Sequence, residues 1–225
     1  MSEVGWLTHR QADVPDGDGW LTISERAVLG RLQLPARRAA WRLGRWTAKA
    51  AVGLWLGLAP ESIEVRAAGD GAPEAWYHGR RLPVSVSLSH RAGRGLAVVA
   101  ATPEVVGCDL ERLEFRSDAF VRGWLSAGEQ AAVRSAGPAA RPLMANLVWS
   151  AKEASAKVRR AGLRLPVQRA VVAVPPAARG DAWRPLTVDW QDGTPPMPGW
   201  WRREPAWVMV VAGAGEITPA RHRLQ

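Results

Sequence analysis

The sequence predicts an α+β fold of two pseudo-symmetric halves, each a small antiparallel sheet packed with a long helix. Three observations carry this. Two long stretches with helical apolar spacing, Ala36 to about Leu56 and Leu143 to about Arg160, each follow a shorter helix opened near a serine, at Ser24-Glu25-Arg26 and at Ser126-Ala127-Gly128-Glu129. The tetrapeptide Trp46-Thr47-Ala48-Lys49 returns as Trp149-Ser150-Ala151-Lys152, an offset of 103 residues. Each long helix is then followed by a short strand, a loop and a hairpin. The halves are expected to divide as 1–104 and 105–225, with a ligand site in the crevice between them.

Residues 1–22 show no clear period and carry a loop at Pro15-Asp16-Gly17-Asp18-Gly19. The first helix, with Ser24 as N-cap, runs to about Leu32 and breaks at Pro35. The long helix after it ends at Gly57, with Pro60 beyond. Ile63–Arg66 reads as a short strand and Gly69–Pro73 as a loop. Val84-Ser85-Val86-Ser87-Leu88-Ser89 alternates cleanly and pairs, across Arg91–Gly95, with Leu96–Ala100. In the second half the helix from Ser126 breaks near Gly137-Pro138, and the long helix ends at Gly162. Strands are expected at Ala170–Val174, Leu186–Trp190 and Trp207–Val211, with the last dozen residues frayed.

At 225 residues the chain is long enough for a substantial core, and 47% hydrophobic content excludes bulk disorder. The net charge of +9 points to an anionic partner. A single cysteine excludes an internal disulfide framework and a zinc cluster. Met1–Trp6 lacks the basic and apolar regions of a signal peptide, and no apolar run is long enough to span a membrane, so a cytoplasmic protein is expected. Thirteen tryptophans on a basic chain admit base stacking, so a nucleic-acid-binding module is the rival reading. Core and hairpin packing is the commoner use of indoles.

Chemistry concentrates in three segments. Val106-Gly107-Cys108-Asp109-Leu110-Glu111 places two carboxylates at i and i+2, on one face of a strand. Like charges so placed favour a divalent cation such as Mg²⁺. Ser87-Leu88-Ser89-His90-Arg91 closes a strand with polar groups, and Trp149-Ser150-Ala151-Lys152-Glu153-Ala154-Ser155-Ala156-Lys157 puts Glu153 and Lys157 one helical turn apart.

In this order and spacing the three segments resemble the signature motifs of the 4′-phosphopantetheinyl transferases, of the monomeric two-half type typified by the surfactin-synthetase activating enzyme. The resemblance implies Mg²⁺-dependent transfer of the phosphopantetheine arm of coenzyme A to a serine of an acyl or peptidyl carrier protein, releasing 3′,5′-ADP. It implies a metal held by Asp109, Glu111 and Glu153, with Asp109, Glu153 and Lys157 as catalytic residues. Coenzyme A contacts are implied for Arg45, Lys49, Ser89, His90 and Lys157, and a structural or docking role for Lys152. Family members often carry Gly-Lys-Pro where this chain has Gly71-Ala72-Pro73; Arg80 and Arg81 are the candidates to compensate. Coenzyme A and acidic carrier proteins would give the positive charge a purpose, with neither nucleic acid nor membrane as partner. A catalytically weak, coenzyme A-binding member is the alternative.

Overall fold

A computed structural model describes residues 2–161, 165–175, 182–219 and 224. Gly162 and the end of the loop to Gly180 lie outside the described residues. The chain opens with β1 (Ser2–Arg10), then α1 (Ile23–Gly30) and α2 (Pro35–Leu56). Next come β2 (Ile63–Ala67), β3 (Pro73–Tyr77), β4 (Arg80–Arg81), β5 (Val84–Arg91) and β6 (Arg94–Ala101). The second run is β7 (Val106–Arg112), α3 (Asp118–Trp124), α4 (Ala127–Ser135) and α5 (Arg141–Val158). It closes with β8 (Val171–Ala173), β9 (Arg184–Asp189), β10 (Met197–Glu204), β11 (Trp207–Gly213) and β12 (Ile217–Pro219).

Two sheets, ordered β12-β1-β6-β5 and β7-β11-β10-β9-β8, form the frame, and β2-β3-β4 is a small third sheet. Leu7, Val84, Val86, Ala97 and Val99 face α2 with Ala48 and Ala51. On the other face, Val4, Trp6, Leu96 and Val98 meet Cys108, Leu110, Met209 and Val211 of the second sheet. The far face of that sheet, with Val208, Val210 and Ala212, packs under Leu147, Ala151 and Ala154 of α5. The layers run helix, sheet, sheet, helix, which is the α+β, two-half architecture expected.

The repeat extends to single atoms. Thr22 caps α1 in a capping box with Glu25, as Ser126 caps α4 with Glu129. The Lys49 ammonium donates to Glu25 Oε2 at 2.8 Å and to the Trp20 carbonyl at 2.7 Å. Lys152 donates to Trp124 O at 3.2 Å and pairs with Glu129 Oε2 at 2.7 Å. The other carboxylate oxygen accepts the backbone N–H of Val65 in the first half and of Val172 in the second. In both halves one buried glutamate joins a helix start, a long helix and the strand after it.

Several local expectations are corrected. The N-cap of the first helix is Thr22, and Ser24 Oγ bonds Glu64 instead. β1 occupies a stretch read as aperiodic, and α3 and most of β3 and β10 occupy stretches to which the sequence assigned no element. The end of the chain is not frayed at residues 217–219, because β12 pairs in parallel with β1. Among the described residues no helix is long and apolar enough to cross a membrane. The tryptophans pack internally or under the chain's own arginines: Arg66 lies over Trp76, Arg94 over Trp207 and Arg184 over Trp201.

Candidate active site

Gly107 sets the site's geometry. A Cβ there would stand 2.1 Å from the Ala154 carbonyl oxygen, so its absence lets α5 close onto β7. Gly107, Asp109 and Glu111 share the face of β7 turned to α5, while Val106, Cys108 and Leu110 face the core between the sheets. Asp109 and Glu111 are only 5% and 8% exposed and would be costly there without partners.

Those partners come from three elements. Asp109 Oδ1 accepts from Ser89 Oγ at 2.8 Å and from Lys157 Nζ at 3.0 Å, and Oδ2 accepts from Ser150 Oγ at 2.9 Å. Lys157 also donates to the Cys108 carbonyl at 2.7 Å. Glu111 Oε1 accepts from the Trp149 indole at 3.2 Å; Arg116 Nη2 lies 2.8 Å from Oε2, off the hydrogen-bond axis, and Arg91 Nε lies at 3.6 Å. Glu153 is half-buried, and its Oε1 is buried without a hydrogen-bond partner.

The electrostatics tie the acids together. Burial, then the charge of Asp109, raise the Glu111 carboxyl above the usual range, against Arg116 and Arg91. Burial and Asp109 likewise raise Glu153, against Lys157. Burial pulls the Lys157 ammonium down, but Asp109 and Glu153 among its neighbours hold it above its ordinary value. Burial pushes the Cys108 thiol up to about 12, which removes it as a nucleophile. Among the described residues no three His, Cys, Asp or Glu side chains are gathered into a metal cage. The donor set fits a hard divalent cation all the same: the charge of Asp109 raises both glutamates, and Glu153 has a buried oxygen lacking a partner.

The seam is a row of hydroxyls. Val84, Val86 and Leu88 of β5 pack toward α2, and the serines between them point at the second half. Val106 N–H donates to Ser85 Oγ at 3.2 Å and Cys108 N–H to Ser87 Oγ at 3.0 Å; Ser89 reaches Asp109. Beside it lies a cleft of about 560 Å³, lined by Arg45, Arg66, Arg81, Lys157 and Arg160 with Ser85, Ser87, Pro73 and Val84.

Asp109, Glu111, Glu153 and Lys157 are therefore brought together, and Arg45 and Lys157 reach the cleft. One expectation is corrected. Lys49 is 0% exposed and bonded to Glu25 and Trp20, so it cannot meet a ligand phosphate. Ser89 has its hydroxyl hydrogen committed to Asp109 and positions that carboxylate. Arg45 bonds the Val65 carbonyl and stacks on Trp41. His90 is exposed overall at the end of β5, but one side of its ring packs against Gly44, and that partial desolvation of the imidazole lowers its pKa. Sequence reasoning missed Ser150, Arg116 and Arg160. Ser150 sat inside a quoted motif, while the two arginines gave no local signal.

The two-half α+β frame thus sets an acidic cluster beside a cleft that carries several cations. Residues 105–190 match the family model of the 4′-phosphopantetheinyl transferase superfamily, and the match supports phosphopantetheinyl transfer in general. The curated proteins contain no match to this chain.

Proposed function

We propose that this protein transfers the 4′-phosphopantetheine arm of coenzyme A to a serine of an acyl or peptidyl carrier protein, releasing 3′,5′-ADP. It would act as a monomer of the surfactin-activating type, with halves dividing at about 104/105 and β12 reaching back to the first sheet. The observation that carries this reading is the convergence of Asp109, Glu111, Glu153 and Lys157 at the mutual face of β7 and α5, within a stretch that matches the superfamily.

Asp109, Glu111 and Glu153 would hold Mg²⁺, which when bound supplies charge neutralisation at a pyrophosphate. Transfer needs one P–O bond formed to the carrier serine, one broken to the departing nucleotide phosphate, and one proton removed. Glu153, with its raised pKa and unpartnered oxygen, takes that proton. Lys157 lines the cleft and places its ammonium against the anion that leaves. Ser89 and Ser150 hold Asp109 in its orientation. Arg45, Arg81 and His90 contact coenzyme A phosphates, and Arg81 stands in the cleft where Ala72 offers no cation. The positive surface steers an acidic carrier protein.

Incubation with coenzyme A, Mg²⁺ and a panel of apo carrier proteins, followed by intact-mass spectrometry, tests the reading. The expected result is the added arm on at least one carrier. Coenzyme A binding without transfer to any of them would leave only the weak, binding-only member.

A further inference from the structure

We propose that Asp70 and Arg160 form a clasp across the mouth of the cleft, in which the Asp70 carboxylate holds the place of a ligand phosphate. Arg160 is then a ligand-binding residue, handed from Asp70 to the phosphate as the ligand enters. This rests on the reading that the cleft takes coenzyme A.

The two residues come from different halves of the chain. Asp70 is at the tip of the turn between β2 and β3, and Arg160 follows the C-terminus of α5, and both line the cleft. Their contact is a two-pronged fork: Arg160 Nε donates to Asp70 Oδ2 at 2.7 Å and Nη2 to Oδ1 at 3.1 Å. A guanidinium fork accepts a carboxylate and a phosphate in the same geometry. Both side chains are exposed, so water already competes for the pair and exchange is cheap.

Two features show that the arginine is placed for its side chain. Arg160 has φ +54°, just past the helix end, where glycine is the residue that fits without strain. An arginine held there sacrifices backbone comfort for a guanidinium at the cleft. Asp70 is presented by an equally specific turn: Ala72 N–H donates to its Oδ1 at 3.0 Å, and Gly71 N–H to the Ala68 carbonyl at 2.9 Å. Arg45, Arg66, Arg81 and Lys157 make the rest of the wall cationic. The nearby acids have other partners: Glu104 accepts from Gly215 N–H, and Glu74 pairs with Arg81 at 3.2 Å while standing 3.9 Å from Arg160.

Isothermal titration of the full chain with coenzyme A and, separately, with inorganic pyrophosphate distinguishes the roles. Asp70→Asn keeps the acceptor for Ala72 but removes the charge held by the Arg160 fork, and is expected to tighten binding by about threefold, the scale of a weak coupling. Arg160→Gly relieves the backbone, so its melting temperature should be equal or higher, while binding weakens by about tenfold, the scale of one charge-assisted contact. Opposite signs for the two variants support the clasp. Equal weakening by both, or no change, overturns it and leaves the coenzyme A reading standing. Opposite shifts with pyrophosphate alone keep the clasp and remove coenzyme A as the ligand. No binding of either probe by the wild-type chain overturns both.

Discussion

The two halves share a skeleton and differ in what hangs on it. Gly5 of β1 faces Trp55 of α2 as Gly107 of β7 faces Val158 of α5, and 55 and 158 are separated by the same 103 residues as Lys49 and Lys152. Two positions beyond those glycines stand Leu7 and Asp109. At the offset of 103, Ala50 takes the place of Glu153, Leu54 that of Lys157, and Thr47 that of Ser150. Thr47 Oγ1 donates to its own helix at Leu43, whereas Ser150 reaches across to Asp109. What the halves hold in common maintains the fold, and what they do not share is the acidic cluster of Asp109, Glu111 and Glu153.

The sharpest break of this comparison is Asp109→Ala. Transfer should fall by about a thousandfold or more, as expected when charge stabilisation at a phosphoryl centre is lost. Intact-mass kinetics measure this, and circular dichroism should still report a folded chain. Activity close to wild type would remove the site from the second half.

The buried ion pairs should instead respond alike. Lys49→Met and Lys152→Met each leave a buried glutamate uncompensated, a loss of about 3–5 kcal/mol. Chemical denaturation of the two variants should agree, and restoration by pairing each with Glu25→Gln or Glu129→Gln would assign the loss to the stranded charge. A large difference between the two would mean that the duplicated geometry hides unequal roles.

Substituting alanine for the two glycines should separate the halves again, by less. A Cβ at Gly107 meets a backbone oxygen that cannot move aside, and one at Gly5 meets the Trp55 ring at 2.7 Å. Gly107→Ala should cost about 2–3 kcal/mol and Gly5→Ala about 1 kcal/mol, the range for overpacking against rigid and yielding neighbours. Thermal melts would measure the order, and the reverse order would contradict the close approach at α5.

The smallest effect is linked to pH. Glu111 and Glu153 have raised pKa values when folded, so the folded chain binds those protons more tightly than the unfolded one. Stability therefore falls as pH rises from about 4.3, the ordinary glutamate value, through the raised values. Mg²⁺ should offset this where the acids are ionised, raising the melting temperature at pH 8 by about 2–4 °C for a chain of this size. No shift is expected near pH 4.5 or in Asp109→Ala. A shift of equal size in that variant would place the ion elsewhere.

The sequence showed what depends on local pattern. The strands at β5 and β6 alternate, and the long helices repeat their apolar positions. It hid what depends on distant partners. β1 is buried on both faces along Val4-Gly5-Trp6-Leu7, so it has no period of two. β10 carries Pro198 and Gly199 within its paired register, which masked it as a strand. Lys49 was expected at coenzyme A through the resemblance alone. Its burial follows from Glu25, which is 24 residues away and joined to it only by folding. The acidic cluster was legible because its spacing on β7 and α5 is itself local.

The serine row also has a consequence for assembly. β5 and β7 are terminal strands of their sheets, and an unpaired strand edge invites addition of a strand from another molecule. Here the hydroxyls of Ser85 and Ser87 occupy the Val106 and Cys108 N–H groups that a foreign strand would need. The same row of serines thus ends on Asp109 through Ser89 and covers the edge of β7 through Ser85 and Ser87, so a separated second half would lose the Ser89 contact and expose that edge at once.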